Sequence, residues 1–149
     1  MPDGNVHAET TIDVPIEQVW KFLTSPEKIP LVLPGLVEVH NVPEGPVEVG
    51  THFEYFYRLF EVDLEGTYTI TTLDEPELYE ARTTGGGVSE WSYRLESRDG
   101  GTYVALTVEY ENPESVLAMA RAAAVQALNQ READEYFSNL KTALELQDA

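Results

Sequence analysis

Apolar and polar residues alternate over residues 5–14, "NVHAETTIDV", the pattern of a half-buried strand, and Pro15 follows at a position that opens a helix. Ile16, Val19, Trp20 and Leu23 then recur at i, i+3, i+4, i+7, which predicts a short helix with one apolar stripe. Ser25-Pro26 starts a second short helix running to about Leu33; Pro34-Gly35 ends it before a strand at 36–42, and a Pro/Gly-rich loop, "VPEGPVEVG", comes next. From 51 to 110 strand follows strand, cut by the turn signals "LDEPE", "GGG" and "RDGG". One phase carries Phe53, Tyr55 and Tyr57; then Val62, Leu64, Gly66, Tyr68 and Ile70; then Tyr79, Ala81 and Thr83; then Trp91, Tyr93 and Leu95; then Val104, Leu106 and Val108. The other phase holds charged residues such as Glu54, Arg58, Asp63, Glu80, Arg82, Glu90 and Arg94. Such alternation predicts antiparallel strands with one wet face.

A single element remains to cover the dry face, so the fold class is α+β with a curved sheet. That element is a helix capped by Asn112 or Ser115 and running to about Leu146. Steps of four and three place Met119, Ala123, Gln126, Gln130, Ala133, Phe137, Leu140 and Leu144 on its inward face. The last third of this stripe is an ordinary apolar anchor. The rest offers only small or polar side chains to a sheet rich in Tyr and Trp, where a filled core would need Leu and Ile. The expectation is a helix that lines a cavity.

At 149 residues the chain is read as one domain over 1–149, and with no cysteine it excludes thiolate and Cys-zinc chemistry. The first twelve residues lack a basic start and an apolar run, and no segment approaches a membrane span, so a soluble cytoplasmic protein with neither signal peptide nor transmembrane segment is expected. Twenty-seven acids against nine bases give a net charge of −18, which excludes nucleic acid as a partner, since counterion release needs basic contacts. The acids are scattered, as on a solvated surface, and their excess over lysine also fits a saline cytoplasm.

His7, His40 and His52 share no ligand-like spacing, so no metal is expected. Gly85, Gly86 and Gly87 precede a strand rather than a helix and are read as a hairpin turn, not a phosphate cradle. Ser89 and Ser92 are assigned to the wet phase, without a nucleophile elbow. Leu59-Phe60 sits at a strand turn, as bulge packing or as an apolar lip. Tyr55, Tyr57, Tyr68, Tyr79 and Tyr93 all fall on the inward phase, opposite Gln126 and Gln130. Together they have the make-up of a mostly apolar small-molecule site with a few polar anchors.

The element order resembles the START-related helix-grip superfamily, which includes polyketide cyclases, lipid-transfer proteins and the birch-pollen allergen group. The resemblance rests on "DVPIEQVWKFLTSPEKIPLVLPG", "VGT" at 49–51, "LDEPELYEAR" at 73–82, "EWSYRL" at 90–95 and "YFSNLKTALE" at 136–145. It implies about seven antiparallel strands wrapped around a long C-terminal helix, two short helices after the first strand, and a deep apolar cavity between sheet and helix. The ligand-binding candidates are then Tyr55, Tyr57, Tyr68, Tyr79, Trp91, Tyr93, Met119, Ala123, Gln126 and Gln130. Arg82 joins them only if its strand is turned by one residue. Two functions compete: binding or transport of a hydrophobic or amphipathic molecule, lipid- or polyketide-like, and a cyclase or dehydratase acting on a polyketide-like chain. The "LPG" after the second helix also resembles the accessory-protein group of carbon monoxide dehydrogenase. No cofactor is expected; catalytic residues and oligomeric state stay open.

Overall fold

Residues 3–147 are described by a computed structural model. Strand β1 (Gly4–Ile12) leads into α1 (Ile16–Leu23) and a 3-10 turn (Pro26–Leu31). Six strands follow: β2 (Leu36–His40), β3 (His52–Leu59), β4 (Val62–Asp74), β5 (Leu78–Gly85), β6 (Val88–Arg98) and β7 (Gly101–Glu111). A single turn of helix, α2 (Glu114–Leu117), and the long α3 (Ala122–Gln147) complete the chain. All seven strands form one antiparallel sheet in the order β1-β7-β6-β5-β4-β3-β2. The helix-grip arrangement expected from the resemblance is the one observed. No helix among the described residues is long and apolar enough to cross a membrane.

Two-residue turns set the registers. Phe60-Glu61 joins β3 to β4 and Asp99-Gly100 joins β6 to β7, each with both residues at positive φ, as the twist of a tight hairpin requires. The triple glycine turns β5 into β6: Gly85 has φ +97°, and a Cβ on Gly86 would lie 2.7 Å from the backbone of Glu65, so the turn lies flat against β4. A bulge in β4 between Ile70 and Thr72 shifts the pairing so that Ile70 still opposes Ala81 and Leu73 opposes Tyr79, which keeps both apolar residues on the inner face.

That face and α1 build the core. Val104, Leu106, Ile70, Ala81 and Tyr93 are buried, and Trp20 of α1 meets Tyr79 edge-on at 6.1 Å. The outer face is wet: Arg58 pairs with Asp63 and Arg82 with Glu90, both at 2.9 Å and exposed.

The second short helix is 3-10 rather than α and stops at Leu31, with Pro30 inside it. The C-terminal element departs further from expectation. Pro113 precedes α2 in place of a capping side chain from Asn112 or Ser115, and the chain breaks over residues 118–121 before α3 begins. Val116 and Val125 are both 0% exposed. Nine residues apart in one continuous helix, at about 100° per residue, they would point in opposite directions. The break lets both be buried, a gain of roughly 1.5–3 kcal/mol for each such side chain.

Helix α3 runs along β1, the edge strand of the sheet, and covers its open backbone groups. Gln126 Nε2 donates to the Asn5 carbonyl (2.6 Å), and Gln130 Nε2 donates to the His7 carbonyl (2.7 Å) while its Oε1 accepts from the His7 amide (3.3 Å). Lys141 donates to the Thr11 carbonyl and Glu145 accepts from the Asp13 amide. Four side chains of one helix thus protect an edge that would otherwise invite pairing with another chain.

Candidate functional site

Between the inner sheet face and α3 lies an apolar cavity of about 170 Å³. This is the scale of the ~150 Å³ cavities that stay dry and accept a benzene ring. Strands β3 to β7 supply aromatic and aliphatic walls, and Ile29 and Leu33 close one side from the 3-10 turn and the residues after it. Asn129, Glu132, Ala133 and Tyr136 line it from α3.

Its deep end is a stack of tyrosines. The Tyr79 and Tyr93 rings lie parallel at 5.2 Å, and Tyr136 meets Tyr93 edge-on at 6.4 Å. The hydroxyls pair off, Tyr68 with Tyr79 and Tyr93 with Tyr136, each at 2.7 Å. Burial pushes all four phenols up, Tyr79 to about 12, and the hydrogen bonds only redistribute the shift within each pair. The deep end is therefore neutral and polarisable.

A second polar group forms where the triple glycine meets the cavity. Tyr55 donates to the Gly87 carbonyl (3.3 Å), as does Thr83 (3.1 Å); Thr83 and Ser89 hydroxyls lie 2.6 Å apart, and the Trp91 indole donates to Ser89 Oγ (2.9 Å). Ser89 therefore faces inward with Trp91, against its assignment to the wet phase. Residues 89, 91 and 93 share one side of β6, and only Ser92 points outward with Arg82 and Glu90.

The third polar group contains a carboxylate. Tyr57 donates a short hydrogen bond to Glu132 Oε2. Gly35 makes room for the ring, since a Cβ there would sit 2.4 Å from Tyr57. Burial pushes the half-buried Glu132 carboxyl up; the Tyr57 hydrogen bond and Arg131 pull it down, and Glu135 adds to the rise. The same carboxylate pushes the Tyr57 phenol up beyond what burial does.

Six of the sequence candidates meet at the cavity wall: Tyr55, Tyr57, Tyr68, Tyr79, Trp91 and Tyr93. The four from the helix do not. Gln126 and Gln130 bond β1, Ala123 is exposed, and Met119, 60% exposed, lies in the break before α3. Arg82 is on the outer face, paired with Glu90. Of the helical residues that do line the cavity, Ala133 belongs to the predicted inward row, whereas Asn129, Glu132 and Tyr136 follow Val125 in steps of four, three and four, a second periodic row beside the one through Phe137. Leu59 is buried on the cavity wall while Phe60 packs against the core at the turn.

Residues 3–145 match the family model described as polyketide cyclase/dehydrase and lipid transport. The chain belongs to this family. Its description names lipid transport and polyketide chemistry, which supports hydrophobic ligand binding in general. Among solved structures, the Thermus thermophilus protein TTHA0849 is 19% identical with a TM-score of 0.82, over 98% of this chain and 100% of that one. A conserved protein from Geobacillus kaustophilus is 15% identical with a TM-score of 0.76, over 95% of both chains. Ara h 8.0201 is 17% identical with a TM-score of 0.67, over 95% of this chain and 97% of that one. At these identities the likeness concerns the fold of this polyketide cyclase/dehydrase and lipid transport family member. No curated protein matches the chain.

Proposed function

We propose that this chain is a single ligand-binding domain that holds a hydrophobic or amphipathic small molecule between sheet and α3, and that it acts as a binder or carrier. The observation that carries this reading is the cavity itself: an apolar space lined by tyrosines that are fixed to one another, in a member of a family described by lipid transport and polyketide chemistry. Arg82 on the outer face removes the cation that a strand could have offered to an enolate. Lack of cysteine fits residence in a reducing cytosol. A cyclase or dehydratase is the second reading because Glu132, its carboxyl raised by burial and held by Tyr57, has the environment of a general base.

The test is a titration with 1-naphthylamine, a small fluorophore that is neutral at pH 7. Saturable enhancement is expected for the wild type and for Ala123→Phe, whose side chain is exposed. Ala133→Phe, which fills the cavity from α3, should lose most of it while still unfolding cooperatively. Equal binding by a folded Ala133→Phe protein, or none by the wild type, would count against the proposal.

A further inference from the structure

The polar groups that the cavity offers to a ligand are unevenly distributed between donors and acceptors. The phenol of Tyr57 is committed to Glu132, that of Tyr55 to the Gly87 carbonyl, and the indole of Trp91 to Ser89. Each tyrosine pair keeps one uncommitted proton at the deep end. The Asn129 amide on the wall offers a donor and an acceptor alike, and the remaining acceptors are less fully used. Among the described residues only Tyr57 donates to Glu132, through one carboxylate oxygen, and Asn112 Oδ1, in a residue that also lines the cavity, is buried with no hydrogen-bond partner. A buried acceptor left bare costs about 1–3 kcal/mol, so a donor is wanted there.

The charges point the same way. No Lys, Arg or His is found among the described residues that line the cavity; its ionisable acids are Glu132 and, at the end of β7, Glu111. The nearest helical cation, Arg131, is exposed and lies 3.7 Å from Glu135. A ligand carboxylate or phosphate would enter an apolar space without a counter-charge, next to Glu132 and within the field of a chain carrying −18. An alkylammonium would meet an unpaired carboxylate and aromatic faces. Depth agrees with this polarity: Tyr93 and Tyr136 are buried at the inner end, whereas Glu132 is half-buried, so an apolar group goes in first and the amine stays at the rim.

We infer that the cavity selects amphiphiles whose polar end is a protonated amine, with Glu132 as the counter-ion and Tyr57 holding that carboxylate in place, and that it discriminates against fatty carboxylates. This rests on the proposed ligand-binding role of the same cavity. The apolar part is ring-sized or a short chain, as about 170 Å³ allows.

Displacement of 1-naphthylamine by octylamine, octan-1-ol and octanoate at pH 7 in physiological salt separates the possibilities. Octylamine should displace the probe at least ten times more effectively than octanoate, with octan-1-ol between them. Glu132→Gln should bring octylamine down to the level of octan-1-ol. Glu90→Gln, an acid removed from the outer face, should leave the order unchanged and thereby exclude a general attraction of cations to an acidic protein. Octanoate equal to or better than octylamine, or an amine preference that survives in Glu132→Gln, would overturn the inference while leaving the cavity reading intact. Failure of the probe and all three amphiphiles to bind would bring down both.

Discussion

Glu132 carries a conflict between burial, which favours its neutral form, and the Tyr57 hydrogen bond, which favours the ionised one; burial is the larger effect and the carboxyl sits above its ordinary value of 4.5. A raised carboxyl binds its proton more tightly folded than unfolded, so its stabilising contribution is full below about 4.5 and is lost as pH rises through the folded value. Glu132→Gln should accordingly be more stable than wild type at pH 7 and lose that advantage near pH 4, in urea unfolding at the two pH values. An advantage that does not change with pH would mean that Glu132 is solvated. The tyrosine pairs obey a different rule. Tyr136→Phe leaves the Tyr93 hydroxyl buried and alone, a loss of about 1–3 kcal/mol, whereas removing both hydroxyls leaves two apolar rings of nearly the same shape. The double Phe variant should therefore unfold at less than the summed cost of the two singles. Strict additivity would show that the hydroxyls do not depend on each other.

Helix α3 shows which parts of the structure were legible in the sequence. Strand phases were legible where apolar and charged residues alternate strictly: Tyr79 and Ala81 are inward and Arg82 outward as expected, whereas Ser89, a small polar residue at the start of its strand, lies on the face opposite to the one assigned. The helix could not be read to its start. Phe137, Leu140 and Leu144 anchor the end as predicted, but Asn129, Glu132 and Tyr136 of the cavity wall form a row turned by about 100° from the row through Phe137, from which Ala133 also reaches the wall. Toward its N-terminus α3 lies over the edge strand, and the Phe137 row there meets β1 backbone, which is why it holds glutamines. Side-chain spacing alone does not say whether a neighbour is a cavity or an unpaired strand edge. Nor could it show the break over residues 118–121, which follows from burying both Val116 and Val125. If Gln130 protects β1, Gln130→Ala should cost about 1 kcal/mol and speed hydrogen exchange at the His7 amide, with amides in β4 unchanged. Unaltered exchange at His7 would remove Gln130 from that role.

Across the whole molecule the composition reappears as a field. The acids are spread over the surface, many of the paired bases sit in exposed ion pairs worth little individually, and −18 remains uncompensated. Self-repulsion of this size should make the melting temperature rise from dilute buffer to molar potassium chloride. A rise that continues past ~1 M, where the Debye length is about 3 Å and screening is largely complete, would mark adaptation to a saline cytoplasm; a curve flat above physiological salt would leave the acids as a solubility feature. Beneath that surface the fold holds open an apolar space of about 170 Å³ against the tendency of cores to close. Occupation of this space is the central claim, and an amide and aromatic-side-chain NMR titration with octan-1-ol tests it most directly. Saturable shifts are expected at Tyr55, Trp91, Tyr93, Ala133 and Tyr136, with Arg82, Glu90 and Ser92 on the outer face unmoved; non-saturating changes, or changes centred on those three outer residues, would contradict it.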